Sequence, residues 1–163
     1  MERELSLCIV DSNYLKYLHR QDSRVSVKYN NRPFVGAITM INGVEYVIPL
    51  TSQTTSERQK KGKGKRAANI TTFVRDSAGV EIANLLHNNM IPVKPGVYSF
   101  MAIDASQNTY EANEIRFLRK HKEQIVHKAQ KVHDDRINKH NTFLYKTCCD
   151  FTKLESACSS YPI

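Results

Sequence analysis

Phe34-Val35-Gly36-Ala37-Ile38-Thr39-Met40-Ile41-Asn42-Gly43-Val44-Glu45-Tyr46-Val47-Ile48-Pro49-Leu50-Thr51-Ser52 decides the fold of this chain. Two runs rich in β-branched and aromatic residues flank Asn42-Gly43, and that pair suits a type I′ turn because both central residues need φ > 0. The stretch therefore predicts a β-hairpin, Phe34 to Ile41 against Val44 to Leu50. Its second strand ends in two adjacent hydroxyls, Thr51 and Ser52, and opens into a segment dense in lysine.

Working outward, Leu5 to Val10 reads as a first strand. Asp11 is placed to cap a short helix through Tyr14, Leu15, Tyr17 and Leu18 that ends near Asp22. Arg24 to Pro33 is polar and basic, and Asn30-Asn31 and Pro33 mark irregular backbone before the hairpin. Beyond Ser52, Thr51 to Arg66 has almost no apolar residues and contains Gly62 and Gly64, which predicts an exposed, mobile loop. Ile70 to Arg75 and Gly79 to Asn84 extend the sheet. Met90 to Val93 and Val97 to Phe100 read as edge segments broken by Pro92, Pro95 and Gly96. From Thr109 the spacing of Tyr110, Ile115, Phe117, Leu118, Ile125, Val126, Ala129, Val132 and Ile137 predicts one long amphipathic helix with a basic polar side. A short helix capped by Asp150 closes the chain. These elements predict an α+β fold, one domain over 1–163, with a strongly bent antiparallel sheet.

A chain of 163 residues can build one core without covalent staples. Lys+Arg number 24 against 16 acids, for a formal charge of +8, so polyanions are attracted and nucleic acid leads as partner, with anionic membrane second. Against membrane, no run approaches the ~20 apolar residues of a spanning helix, and Met1-Glu2-Arg3-Glu4 lacks a signal-peptide pattern. The expectation is a soluble cytosolic protein. Its four cysteines, Cys8, Cys148, Cys149 and Cys158, show no zinc spacing, and a reducing compartment keeps such thiols in the core or incidental. His121, His127 and His133 recur every six residues, which puts neighbours on different helix faces, so no metal site is expected.

Each candidate functional group has a plain structural reading beside its chemical one. Thr51 and Ser52 either end a strand by satisfying backbone groups or donate hydrogen bonds to a phosphate oxygen as charge develops on it. Arg58, Lys60, Lys61, Lys63, Lys65 and Arg66 form a cationic loop without an opposing acid. It is either a solvated charge run or a phosphate-binding segment whose grip falls steeply with salt. Lys28, Tyr29 and Arg32 precede the hairpin, where a tyrosine could stack on a base and a guanidinium could grip a phosphate in two places. Arg116, Arg119 and Lys120 on the long helix fit a solvated face and an RNA groove equally well.

Taken in order, these pieces resemble one family, the endoribonuclease toxins of bacterial type III toxin-antitoxin systems, the ToxN and AbiQ group. The resemblance rests on Asp11 to Leu18, Asp22-Ser23-Arg24-Val25, Arg32 to Gly36, Tyr46 to Ser52, Asn89-Met90-Ile91-Pro92-Val93 and Glu114 to Ile125, with Pro49-Leu50-Thr51-Ser52 the most specific. It implies a compact barrel-like sheet related to the Kid and MazF toxins, elaborated by helices. It further implies metal-independent RNA cleavage without a cofactor, in which the substrate's 2′-hydroxyl attacks the adjacent phosphate and leaves 2′,3′-cyclic phosphate and 5′-hydroxyl ends. Thr51 and Ser52 would be the paired active-site hydroxyls, Arg32 a basic residue of the site and Tyr29 its tyrosine. The partner implied is a repeated pseudoknot antitoxin RNA closing with the toxin into a cyclic assembly, and the substrate a cellular or phage RNA in the bacterial cytoplasm. Family members place a lysine two residues beyond the Ser; this chain has Gln53-Thr54 there, so the cationic role falls to Lys60 or Lys61 folding back, or to Arg32 alone. The alternatives are a non-catalytic RNA-binding module, in which Thr51 and Ser52 only cap the strand, and a toxin of related fold acting through protein contact.

Overall fold

The expected hairpin organises the sheet. In the computed structural model, which describes residues 5–27, 33–52, 70–138 and 142–163, β2 (Phe34–Ile41) pairs antiparallel with β3 (Val44–Thr51). Asn42 and Gly43 take φ of 52° and 81°, as the turn requires. The predicted strand before the hairpin is β1 (Ser6–Val10), which pairs with β2; it is followed by α1 (Ser12–Gln21), whose cap Asp11 accepts from the Tyr14 amide at 3.2 Å. β4 (Thr71–Arg75), β5 (Glu81–Leu86), β6 (Ile91–Val93) and β7 (Tyr98–Phe100) complete a seven-stranded sheet of order β4-β5-β3-β2-β1-β7, with β6 paired to β3 off this path. Among the described residues every pairing is antiparallel and β4 and β7 remain edges, so the sheet, elaborated by helices, is not closed into a barrel.

The outer edge of β3 is divided between two partners. Glu45 to Val47 pair with β6, whereas Leu50 and Thr51 pair with β5. Pro49 sits at the changeover for a physical reason. In a two-residue hairpin the residues flanking the turn form a hydrogen-bonded pair, and bonded and non-bonded pairs then alternate. Gly36 and Pro49 are thus a non-bonded pair, and the proline nitrogen, which has no proton, faces the outer edge where neither neighbour asks for one. Gly36 is needed opposite: a Cβ there would lie 2.5 Å from both the Ile48 carbonyl oxygen and Val47 Cγ1.

The single long helix expected from Thr109 is instead two, α2 (Tyr110–Lys120) and α3 (Lys122–Asn138), broken at His121, whose φ and ψ are −108° and 22°. Ala112, Ile115 and Leu118 face inward from α2, and Ile125, Ala129 and Val132 from α3. α4 (Thr142–Thr147) and α5 (Phe151–Ser160) follow, α5 capped by Asp150, which accepts from the Lys153 amide at 3.2 Å. The buried apolar residues of sheet and helices form one contiguous cluster. All four cysteines are free and buried within it. Burial pushes the Cys8 thiol up to about 12 and Cys148 to about 11. No helix among the described residues is long and apolar enough to cross a membrane.

Candidate functional site

Thr51 is the last residue of β3 and Ser52 the first beyond the ladder, so the hydroxyl pair lies where the strand leaves the sheet. Thr51 is half-buried and in register with Asn84 of β5, which is itself in register with Phe73 of β4. Ser52 is exposed. Asn84 is completely buried, an uncommon place for an amide that strand patterning alone does not announce. One residue further on, the β4–β5 register slips past Ile82. The Ile82 carbonyl is taken by the hydroxyl of Tyr110, the first residue of α2, at 2.7 Å. Tyr110 thus stands beside the same end of the sheet as Ser52, whereas sequence spacing marks it only as a member of an apolar stripe.

At the other end of the β4–β5 pair, His87 is fully buried and its Nε2 meets Thr72 Oγ1 at 2.7 Å. Lys128, reaching from α3, donates to the Thr71 carbonyl at 2.8 Å. Burial first, and then the nearby Lys128 charge, lowers the His87 pKa to about 3, so the ring is neutral at pH 7. Nδ1 has no hydrogen-bond partner among the described residues. A bare ring nitrogen is the cheaper group to leave unsatisfied, which favours the tautomer donating from Nε2 to Thr72. Burial likewise lowers the Lys128 pKa. This cluster braces the start of β4.

The approach to the hairpin is anchored as well. Asp22 accepts from the Arg24 amide and Nε at 3.0 and 2.8 Å with one oxygen, and from the Asp150 amide at 2.6 Å with the other. Burial opposes its charge, but these donors win and hold the carboxyl below its usual range. Asn89 donates to the Arg24 carbonyl at 2.8 Å, and a His19 ring nitrogen lies 2.8 Å from that of Val25. The predicted residues Lys28, Tyr29 and Arg32, and the loop cations Arg58, Lys60, Lys61, Lys63, Lys65 and Arg66, lie outside the described residues.

The three helix cations differ in what they do. Arg116 donates to the carbonyls of Ala105 and Gln107 and to Asn113 Oδ1, and so clamps the turn before α2. Arg119 and Lys120 are exposed. Arg116 and Lys120 border an open cavity of about 450 Å³ between α2 and the β4–β5 turn, which Arg119 does not line. Among the described residues no group of three His, Cys, Asp or Glu side chains is placed to hold a metal ion.

Comparison with known proteins fits this architecture. The model of a family described as "Toxin ToxN, type III toxin-antitoxin system" matches residues 6–159. The chain is 28% identical to an endoribonuclease ToxN of Bacillus thuringiensis subsp. kurstaki over 93% of this chain and 81% of the relative. It is 25% identical to the endoribonuclease AbiQ of Lactococcus lactis subsp. lactis over 93% of this chain and 86% of the relative. Among solved structures it superposes with a TM-score of 0.78, at 28% identity and 98% coverage of both chains, on one from work on type III systems and "selective toxin inhibition by a non-coding RNA pseudoknot". It shares the fold of AbiQ, "a lactococcal anti-phage endoribonuclease", at a TM-score of 0.83 and 24% identity, covering 96% of this chain and 97% of that one.

Proposed function

The chain belongs to the ToxN family of type III toxin-antitoxin toxins, and from that premise we propose that it is an endoribonuclease toxin cutting RNA at the Thr51–Ser52 end of β3. The observation that carries this reading is the pair of hydroxyls at a strand terminus: Thr51 is fixed by its ladder position against Asn84, and Ser52 is exposed next to it. A backbone held by a sheet presents donors without reorganisation, and one such preorganised donor contributes ~10² to 10³ in rate when it meets developing charge.

In the proposed step the substrate's 2′-hydroxyl gives its proton to water and attacks the adjacent phosphorus, and the bond to the 5′-oxygen of the next nucleotide breaks as that oxygen takes a proton from water. The products are a 2′,3′-cyclic phosphate and a 5′-hydroxyl. The substrate supplies its own nucleophile, so Thr51 and Ser52 have only to donate hydrogen bonds to the non-bridging oxygens. Arg32 adds positive charge there; its guanidinium is too basic to give up a proton readily, so its role is electrostatic. Tyr29 stacks on or orients a base. Arg58, Lys60, Lys61, Lys63, Lys65 and Arg66 carry the backbone on either side. Metal independence follows from this division of labour. The partner is a repeated pseudoknot antitoxin RNA, held with the toxin in a cyclic assembly in the bacterial cytoplasm, and the targets are cellular or phage transcripts. The likeness to a structure from work on toxin inhibition by a non-coding RNA pseudoknot supports the pseudoknot partner.

The test is cleavage of a long single-stranded RNA in EDTA by wild type and Ser52→Ala, with the new ends characterised. Discrete cuts ending in cyclic phosphate, slowed at least ~10²-fold in the variant, are expected. Binding without cutting by both proteins would identify an RNA-binding module in which Ser52 merely ends a strand.

A further inference from the structure

The cavity between α2 and the β4–β5 turn lies at the end of the sheet where β3 delivers Ser52. Across the sheet, Thr51 is level with Asn84 and Phe73, so the turn that follows Arg75 is at the same end of the sheet as Ser52. Tyr110 touches β5 there, and α2 then runs from Tyr110 along the cavity, lining it with Asn113, Arg116, Phe117 and Lys120, with His121 at the end of the helix.

Its walls combine two chemistries. Phe117 and His121 form a ring pair with centroids 4.3 Å apart and planes 35° apart, and both are half-buried, so part of each ring is left for the cavity. Lys120 is exposed beside them. Arg75 stands opposite with about half of its side chain accessible, engaged only at its edges with the Gly79 carbonyl at 3.3 Å and Glu81 at 3.9 Å. The one acid of the wall, Asp76, directs Oδ1 at the amides of Ala78 and Val80, both at 2.9 Å, and so faces its own turn. The open face of this ring pair, flanked by the cations Arg75, Arg116 and Lys120 and by the Asn113 amide, suits an unpaired nucleotide, with its base on that face and its phosphate between Lys120 and Arg75.

We propose that this cavity binds one unpaired nucleotide of the RNA strand that crosses Ser52, with the base stacked on the open face of the Phe117–His121 ring pair and the phosphate held by Lys120 and Arg75. The proposal rests on the function proposed above. It adds a second point of grip that makes affinity depend on a base remote from the cut.

The experiment measures binding of a short, fluorescently labelled single-stranded RNA of mixed sequence to Ser52→Ala protein, alone and combined with His121→Ala, His121→Tyr or Lys120→Gln. Base stacking of the usual strength makes His121→Ala weaken binding by about fivefold or more, with His121→Tyr restoring it. Lys120→Gln lowers the slope of log affinity against log salt by about 0.7, the value for one phosphate on a single strand. An abasic strand should respond to Lys120→Gln and be indifferent to His121→Ala. Without any change to the cavity, RNA carrying 4-thiouridine should photocross-link to the peptide spanning Phe117 to His121. If Ser52→Ala protein binds RNA but the cavity variants bind equally well and the cross-links map elsewhere, the nucleotide site is wrong while the enzymatic reading stands. If wild type neither cuts nor binds RNA, both fall.

Discussion

Glu114 gives the stability of this protein a pH signature that can be worked from the structure. It sits on the inner face of α2 with only 4% of its surface exposed, and among the described residues the charge acting on it is another acid, Glu111, one turn earlier. Burial first, and then Glu111, raises its pKa from 4.5 to about 7. An acid whose pKa is higher folded than unfolded stabilises the fold most while protonated. Its contribution is full below about 4.5 and drains away as pH rises to about 7. His87 acts oppositely over part of this range. Its folded pKa of about 3 against the usual 6.5 means that the unfolded chain takes up more protons between those values, so stability rises with pH there and is level above 6.5. In wild type the two largely offset one another between about pH 5 and 6.5, and the loss from Glu114 stands alone only between pH 6.5 and 7. Glu114→Gln separates them. The difference in unfolding free energy between wild type and variant should fall by about 2.5 kcal/mol from about pH 5 to 8, the linkage integral for these two pKa values. In urea unfolding followed by circular dichroism this is a relative midpoint shift of about 1 M. Parallel wild-type and variant profiles across that range would refute the assignment of a buried, uncompensated carboxyl.

Other outcomes rest on particular contacts and charges. Gly36→Ala places a methyl 2.5 Å from the β3 backbone at Ile48, so overpacking should cost about 1 to 3 kcal/mol and lower Tm by about 3 to 10 °C, with cleavage falling too because β3 carries Thr51 and Ser52. An unchanged Tm would mean that the strands part without cost. The four buried thiols should be silent to an aromatic disulfide reagent in native protein and react together in denaturant, and a fast-reacting thiol in the folded state would contradict their burial. Changing Lys60, Lys61, Lys63 and Lys65 to Gln should flatten the salt dependence of RNA binding by up to about 0.7 for each phosphate no longer neutralised, and an unaltered slope would remove that loop from the interface.

The parts of the fold legible in the sequence are those written in local chemistry. Asn42-Gly43 needs positive φ wherever it is, and Asp11 and Asp150 cap whatever helix follows them, so these features are found where sequence reading puts them. The break at His121 escapes such reading because Leu118 and Ile125 are seven residues apart, close to two helical turns; the apolar stripe stays in phase across it. The division of the β3 edge escapes it too, since Pro49 shows only that one edge lacks a donor and not which strands meet there. At the site, the Thr51-Ser52 pair is legible as a motif. Asn84 and Tyr110 are not, because their nearness to β3 is created by strand register and a helix start rather than by spacing in the chain.

The divided edge of β3 also makes the molecule modular. Among the described residues the β4–β5 hairpin is joined to the rest of the sheet through Leu50–Leu85 and Thr51–Asn84, whereas β6 holds the other half of the strand. Exchange of the β4–β5 hairpin between relatives therefore disturbs two rungs of ladder and leaves the β1–β2–β3 pairings in place, provided that the incoming hairpin keeps the contacts of Ile82 with Tyr110 and of Thr71 with Lys128. Thr51 lies on that seam, so a transplanted hairpin arrives in register with the hydroxyl pair, and if the proposed function holds, recombination at Pro49 should alter RNA preference.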